Sequence, residues 1–443
     1  MEHIWPAFML IGLIAGIFTG YPVAFVLAGI GIIFSFLNGI PILFLSMGVQ
    51  RIYSGTLTNW LLVAIPLFVF MGLMLERSGI AERLMRSLAS LFRSTPGGYA
   101  FSVMIIGVIM AASTGIIGAS VVMMGMMSLP AMREAKYDMK LASGLIASSG
   151  TLGILLPPSI MLIILGDQLR VSVGDLFMAA IVPGLVLSGL YFLYIGGVAI
   201  FAPHRVPAPE KVEKTSLGQT VWALTRDLVA PLVLILSVLG TIIAGVATPT
   251  ESAAIGAAGA LILALLSGNL KLPTLGGALY ETTKTTAMIV FVMIGASIFS
   301  VVFRRLGGDA MILDLFNIHE TSPHAVLFMI MLLVFILGFF LDWVEITAVV
   351  VPIVAPIVAQ LDFGLPGDQV MIWFAIALAV NLQTSFLTPP FGYALFYLRG
   401  VAPDLPISTI YRGVIPFVII QITALLLVIF YPAIALWLPI ALR

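Results

Sequence analysis

The sequence contains no cysteine, which excludes disulfides, iron–sulfur clusters and thiolate metal sites and leaves the redox compartment open. Charge is scarce as well. Asp, Glu, Lys and Arg make up 9% of the 443 residues, where a water-soluble domain carries about 25%. The 20 basic and 20 acidic side chains cancel, so no net field argues for nucleic acid or for an acidic partner. Histidine occurs only at His3, His204, His319 and His324, near ends or loops, with no His-Glu-x-x-His pattern and so no zinc signature. No Gly-x-x-x-x-Gly-Lys-[Ser/Thr] loop is present, so there is no recognisable ATPase site. With no paired nucleophile and base inside the apolar runs, an enzyme is not expected.

What remains is apolar: 61% hydrophobic residues and a mean hydropathy of +1.18. Such a chain cannot clothe a globule in polar groups, and the fold class expected is an all-α polytopic membrane protein. A helix crosses a hydrocarbon core of about 30 Å with about 20 apolar residues. The apolar runs are 4–19, 22–47, 61–76, 98–132, 139–166, 176–202, 227–248, 250–267, 285–303, 324–361, 370–397 and 412–441. The first has no basic leader or small-residue cleavage site and reads as a retained helix. Runs 98–132 and 324–361 do not fit simple crossings. As one helix the former would be about 52 Å long, too long for one crossing and too short for two. Each reads better as a re-entrant helical hairpin with its tip covered by protein or a water-filled cavity.

The positive-inside rule orients the chain. Arg77, Arg83, Arg86, Arg93, Arg133, Lys136 and Lys140 flank the first hairpin, and that side is expected to be cytoplasmic. Following the crossings, 15 of the 20 basic residues fall inside, leaving Arg51, Arg170, Arg304, Arg305 and Arg443 outside with both termini. The halves then run alike, as three crossings, a hairpin and two crossings. Five crossings per half insert the second half upside down. The expected organisation is a first inverted repeat 1–202, a cytoplasmic linker 203–226 rich in proline and charge, and a second inverted repeat 227–443. Pro157-Pro158 is followed by Pro183, and Pro389-Pro390 by Pro416, at nearly equal intervals. Paired hairpins and paired broken helices in inverted repeats point to a secondary transporter.

Residues 150–159 (Gly-Thr-Leu-Gly-Ile-Leu-Leu-Pro-Pro-Ser) and 384–392 (Thr-Ser-Phe-Leu-Thr-Pro-Pro-Phe-Gly) interrupt helices near mid-membrane. A Pro-Pro pair frees carbonyl oxygens, because proline has no N–H and collides with the preceding turn. Those carbonyls, with Ser and Thr hydroxyls, are hard oxygen ligands of the kind Na⁺ prefers, while the N-terminus of the half-helix beyond favours an anion. The first hairpin tip, 112–120, is Ala-Ser-Thr-Gly-Ile-Ile-Gly-Ala-Ser, whose small residues equally serve helix packing. The second tip, 338–347, holds Asp342, Glu345 and Thr347. An ionised Asp at mid-membrane costs about 2.5–3.5 kcal/mol and so faces a cavity or a partner, which singles out Asp342. Glu345 is placed nearer to solvent. Glu251 reads as a first-turn acid capped by Thr248 or Thr250, and 77–96 as an interfacial amphipathic helix or rigid arm.

Together Pro-Ala-Met-Arg-Glu-Ala-Lys-Tyr-Asp (130–138), Leu-Gly-Ile-Leu-Leu-Pro-Pro-Ser-Ile (152–160), Ala-Thr-Pro-Thr-Glu-Ser-Ala-Ala (247–254) and Leu-Thr-Pro-Pro-Phe-Gly (387–392) resemble the large membrane subunit (M, DctM-type) of tripartite ATP-independent periplasmic (TRAP) transporters. The resemblance covers essentially the whole chain. It implies an elevator-type member of the ion-transporter superfamily in a bacterial or archaeal cytoplasmic membrane, importing an organic acid with Na⁺, two or more ions being expected. It also implies a periplasmic solute-binding (P) protein and a small four-helix membrane (Q) subunit, here a separate chain. Carried over by motif, one Na⁺ site would have Ser113, Thr114 and Gly118 facing Gly153, Pro157 and Ser159. The second would set Asp342 and Thr347 against Thr384, Thr388, Pro389 and Gly392. Ser120, Ser159 and Thr388 would touch the substrate, between tips that carry few fixed positive charges. The first tip has Ser-Thr-Gly-Ile-Ile-Gly-Ala-Ser in place of the Ser-Gly-Ser-Ser type. The alternative is a stand-alone ion-coupled organic-anion carrier of the wider superfamily, working without a binding protein.

Overall fold

A computed structural model of the chain describes residues 4–92, 94–115, 117–208, 217–316 and 320–442. His3, His319, Arg93, Arg443 and the linker stretch 209–216 lie outside the described residues, as do the side chains of Ser113 and Thr114. Every regular element among the described residues is helical. Helices α1 (Ile4–Ile17), α2 (Val23–Leu37) and α3 (Ile42–Ile52) lead through a π-helical turn, Tyr53–Leu57, to α4 (Ala64–Arg77). Then come α5 (Ile80–Leu91), α6 (Gly98–Thr114), α7 (Ile117–Glu134), α8 (Met139–Thr151), α9 (Ile160–Leu169) and α10 (Val173–Phe201). The second half holds α11 (Leu217–Ile243), α12 (Pro249–Leu266), α13 (Leu272–Arg305), α14 (Gly308–Phe316) and α15 (Pro323–Leu337). Short α16 (Trp343–Glu345) runs through a π turn into α17 (Val351–Val358), followed by α18 (Gly367–Leu387), α19 (Tyr393–Val401), α20 (Ile407–Phe430) and α21 (Ala433–Leu442).

By length and composition seven of the described helices can cross a bilayer: 60–77, 173–201, 225–243, 249–266, 272–305, 367–387 and 407–430. The run expected at 285–303 is the C-terminal part of the 34-residue α13, about 51 Å long at 1.5 Å per residue. The run 22–47 is cut in two, because Gly39 sits at a φ of +61° and Pro41 opens α3. Likewise 412–441 divides at Tyr431-Pro432. The run 98–132 divides into α6 and α7, and the run 324–361 into α15 and α16–α17; α6, α15 and α16–α17 are too short for the crossing class, and the 18-residue α7 is not among the crossing helices.

Burial separates an interior from a lipid-facing shell. In α18, 94% of an 18-residue stretch is buried, against 33% in α11 and α12. Large apolar side chains such as Phe201, Leu272 and Trp222 stand on the outside, an exterior tolerable only in hydrocarbon. In the frame α2 packs on α13 and α12 packs on α4, so the N-terminal and C-terminal parts of the chain interlock. The interior groups α6–α9 with α18–α20, α8 crossing both α7 and α20.

Local chemistry accounts for the element ends. Thr248 and Glu251 cap α12 reciprocally, Glu251 Oε2 accepting from the Thr248 N–H at 2.8 Å. Helix α5 is the expected amphipathic arm. It buries Ile80, Leu84, Met85 and Leu88, while Arg83 donates to Asp227 at 3.3 Å and to Ser267 at 3.2 Å. Those bonds fasten it to α11 and the end of α12, which is the rigid-arm reading.

Asp138 caps α8, its Oδ1 accepting from the Lys140 N–H at 2.9 Å and its Oδ2 from Arg205 Nε and Nη2 at 3.0 and 2.8 Å. Burial alone would raise this carboxyl, but the Arg205 and Lys140 bonds outweigh it and hold it below its ordinary value. Its contribution is therefore complete above about pH 4, the unfolded value, and is lost as pH falls through the lower folded value. Asp138→Ala should destabilise by about 1–2 kcal/mol, chiefly through the lost cap. Asp138→Asn, which can still cap, should cost less than about 1 kcal/mol, the worth of a half-exposed ion pair. Melting temperatures at neutral pH and near pH 3 check both, and the wild-type advantage over the Asn variant should shrink on acidification.

Candidate functional site

The turns at 111–115 and 338–341 each meet a helix broken at a cis Pro-Pro bond, Pro157-Pro158 and Pro389-Pro390 respectively. In the first pair, a Cβ on Gly153 would lie 3.3 Å from the Ala111 carbonyl oxygen and 3.7 Å from Gly115 Cα. Gly115, at a φ of +58°, ends α6 so close to α9 that a Cβ there would stand 3.4 Å from the Ile160 amide nitrogen. The tip therefore closes over the N-terminus of α9, where no side chain caps the free N–H groups. Ser159 is fully buried and its hydroxyl donates to the Ile154 carbonyl at 2.6 Å across the break, leaving the oxygen's lone pairs unspent.

The second pair is built alike. Gly338 packs so tightly on α18 that a Cβ would collide with Ser385 Oγ. Tyr393, the first residue of α19, donates its hydroxyl to the Phe340 carbonyl at 3.1 Å, and the Phe340 ring meets Phe391 at a tilt of 42° with centroids 5.4 Å apart. Gly392 begins α19 without a side-chain cap. Thr347, Thr384 and Thr388 each donate to a carbonyl of their own helix and keep their oxygens available as acceptors. Tyr393→Phe should loosen this docking, leaving the Phe340 carbonyl without its donor at a cost of about 1–3 kcal/mol. Faster proteolysis or hydrogen exchange confined to 338–347 checks it.

Asp342 is the N-cap of α16. Its Oδ1 accepts from the Trp343 N–H at 2.8 Å, and Glu345 Oε2 accepts from the Asp342 N–H at 2.7 Å. That reciprocal bond turns Glu345 back toward the tip, and it lines an apolar cavity with Leu13, Leu27 and Leu337. One turn of α7 past the tip, Gly118 turns its Cα toward the ring of Tyr397, with Cζ 2.9 Å from its would-be Cβ. Ser120 is buried at the start of α7 beside Val121, which packs on Gly150.

Three polar residues escaped the motif reading. Tyr397 sits between the tips, touching Gly118 and within electrostatic reach of Asp342. Gln383, fully buried, donates to Thr151 Oγ1 at 3.4 Å and joins the two broken helices. Its Oε1 has no donor among the described residues, a spare amide oxygen of the type hard cations take. Asn381 donates to the Met331 carbonyl at 2.8 Å and ties α18 to α15. The available signal was an amide inside an otherwise apolar helix, which is costly unless paired.

Among the described residues no three His, Asp or Glu side chains cluster as a metal site. A cation here would be held by carbonyl, hydroxyl and amide oxygens with at most one or two carboxylates. Residues 10–434 match the family described as the tripartite ATP-independent periplasmic transporter, DctM component. The chain is 29% identical over 385 residues to the C4-dicarboxylate TRAP transporter large permease protein DctM of Pseudomonas aeruginosa, covering 87% of each. It is 29% identical over 386 residues to the sialic acid TRAP transporter large permease protein SiaM of Vibrio cholerae, again covering 87% of each. In fold it is similar to the YdaH transporter of Alcanivorax borkumensis, with a TM-score of 0.56 at 16% identity over 89% of this chain and 88% of that one.

Proposed function

The chain belongs to the DctM family of tripartite ATP-independent periplasmic transporters, and we propose that it carries an organic acid inward together with Na⁺ by an elevator motion. It is the large permease subunit of such a system, a multi-pass protein of the bacterial inner membrane, and not an enzyme. An organic acid as cargo is supported by relatives named for C4-dicarboxylate and sialic acid. The tripartite description supports two further components: a periplasmic binding protein that delivers the acid, and a small four-helix membrane subunit, here a separate chain.

In this reading 1–202 and 227–443 are inverted repeats joined by a cytoplasmic linker, and α6–α7 and α15–α17 are re-entrant hairpins from opposite faces. The exchange of α2 onto α13 and α12 onto α4 supports it, as does the fact that none of the hairpin helices is among those fit to cross. The frame stays fixed while the hairpins and broken helices move as one body. One Na⁺ is held by oxygens of Ser113, Thr114, Gly153, Pro157 and Ser159. The other is held by Asp342, Thr347, Thr384, Thr388, Pro389 and Gly392, with Gln383 Oε1 near both. The carboxylate lies between the tips, where Ser120, Ser159, Thr388 and the free N–H groups of α9 and α19 surround it.

The observation that carries the reading is the docking of each tip onto its own broken helix, 111–115 on Gly153 and Phe340 on Tyr393. Uptake into proteoliposomes holding both membrane subunits, with loaded binding protein outside, tests it. Transport should require an inward Na⁺ gradient. Undiminished uptake with K⁺ in place of all Na⁺ would refute the coupling.

A further inference from the structure

The fixed positive charge missing between the tips is found elsewhere. A cavity of about 580 Å³ opens between α3, the end of α9, α13 and α17, and Arg51, Arg170 and Arg304 line it. An adjoining groove shares Arg51 and Arg304 and adds Arg305. Arg51 feels the charges of both Arg304 and Arg170, so three guanidinium groups share one recess. Asp167 lines the same recess and offsets part of this charge, lying within electrostatic reach of Arg170, while its two oxygens accept from Asn59 Nδ2 at 2.6 Å and Gln168 Nε2 at 2.9 Å. Asp309 forms a loose ion pair with Arg304, its Oδ1 3.7 Å from Nε, and also acts on Arg51, which leaves the three arginines in excess of the two carboxylates; at that distance no hydrogen bond forms, and the buried Nε has no acceptor among the described residues. Arg304 Nη2 donates to the Pro352 carbonyl at 2.7 Å, which holds the guanidinium against α17. Among the described residues neither Arg51 nor Arg170 forms a salt bridge.

Like charges gathered in a low-dielectric recess repel one another, and an entering anion relieves that repulsion. Guanidinium groups match a carboxylate in particular, through paired N–H donors. The volume suits a small molecule. One wall is the arm of the second hairpin, from Ala348 through Pro352 to Ala359, and so begins within two turns of Asp342. All four arginines belong to the group that the basic-residue distribution assigns to the outer side.

We propose that this recess is a capture site for a small carboxylate, which rests in the field of Arg51, Arg170 and Arg304 before it passes along α17 to the tips. Its identity as the cargo rests on the organic-acid reading above; the preference of the recess for anions does not. Because the chain has no cysteine, Ser297→Cys places a single thiol in the wall and Ser54→Cys a second, independent one. The purified protein in lipid nanodiscs, with both faces open, is treated with anionic sulfonatoethyl methanethiosulfonate or its cationic trimethylammonium counterpart. Each rate is normalised to that of free cysteine. The anionic reagent should be favoured about tenfold or more, equivalent to about 1.4 kcal/mol, and the preference should vanish with Arg51→Gln and Arg170→Gln combined. Millimolar acetate, succinate or gluconate should slow labelling of the arginine-containing protein and not of that double variant. Equal normalised rates, no reaction at either position, or no protection by any of the three acids would overturn the proposal. No ion gradient is used, so a failure of Na⁺ coupling leaves this result untouched.

Discussion

Replacing Gly144 with valine should leave little folded protein to assay. Helices α8 and α20 cross in backbone contact: a Cβ on Gly144 would fall on the Gly413 carbonyl oxygen, and a Cβ on Gly413 on the Lys140 carbonyl oxygen. Close approach of this kind is how helices associate in a bilayer, where lipid supplies no hydrophobic drive and packing must do so. Overpacking commonly costs about 1–3 kcal/mol when a side chain can turn aside. Here the obstacle is main chain on both sides, no rotamer relieves it, and the cost should exceed about 3 kcal/mol. Gly413→Val should behave alike. Gly189→Ala is the control, since nothing lies within 4 Å of its would-be Cβ. Size-exclusion profiles and melting temperatures in detergent decide the matter, and a wild-type melting temperature for Gly144→Val would contradict so close a crossing.

Asp342→Asn should raise the Na⁺ concentration for half-maximal uptake by about tenfold or more, a loss of about 1.4 kcal/mol in ion binding, with the melting temperature nearly unchanged. The two halves of that expectation have separate causes. Asn caps a helix about as well as Asp, so the bond from the Trp343 N–H survives. What disappears is the negative charge at the tip. Asp342→Ala loses the cap as well and should add about 0.5–2 kcal/mol of local destabilisation. Separating the two variants distinguishes a cation ligand from a structural cap. Unchanged Na⁺ activation in Asp342→Asn would remove Asp342 from the site.

The elements legible in advance are those whose cause lies within a few residues. Pro157-Pro158 and Pro389-Pro390 break their helices because two adjacent prolines remove two N–H donors from one turn, whereas single prolines such as Pro183 and Pro416 are carried inside helices. The Thr248–Glu251 cap and the amphipathic arm at 80–91 follow from spacing alone. The same local rule was underused at Asn38-Gly39, where apolar flanks hid a turn inside the run 22–47. Placement of the site was legible only to the level of which tip meets which break. The contact of Gly118 with Tyr397 depends on how α7 rolls against α19, which no motif encodes.

By itself, then, the sequence determined that this chain lives in a bilayer, that its helices break at Pro157-Pro158 and Pro389-Pro390, and that runs 98–132 and 324–361 are not single crossings. Each follows from composition, chain length and backbone chemistry. Only the tertiary structure decided what those breaks touch. It joined Gln383 to Thr151, 232 positions apart, set Tyr397 between the tips, and drew arginines from α3, α9 and α13 into one recess. Such meetings depend on helix packing between distant segments, where side-chain shape and burial choose the partners, and local pattern carries no record of that choice.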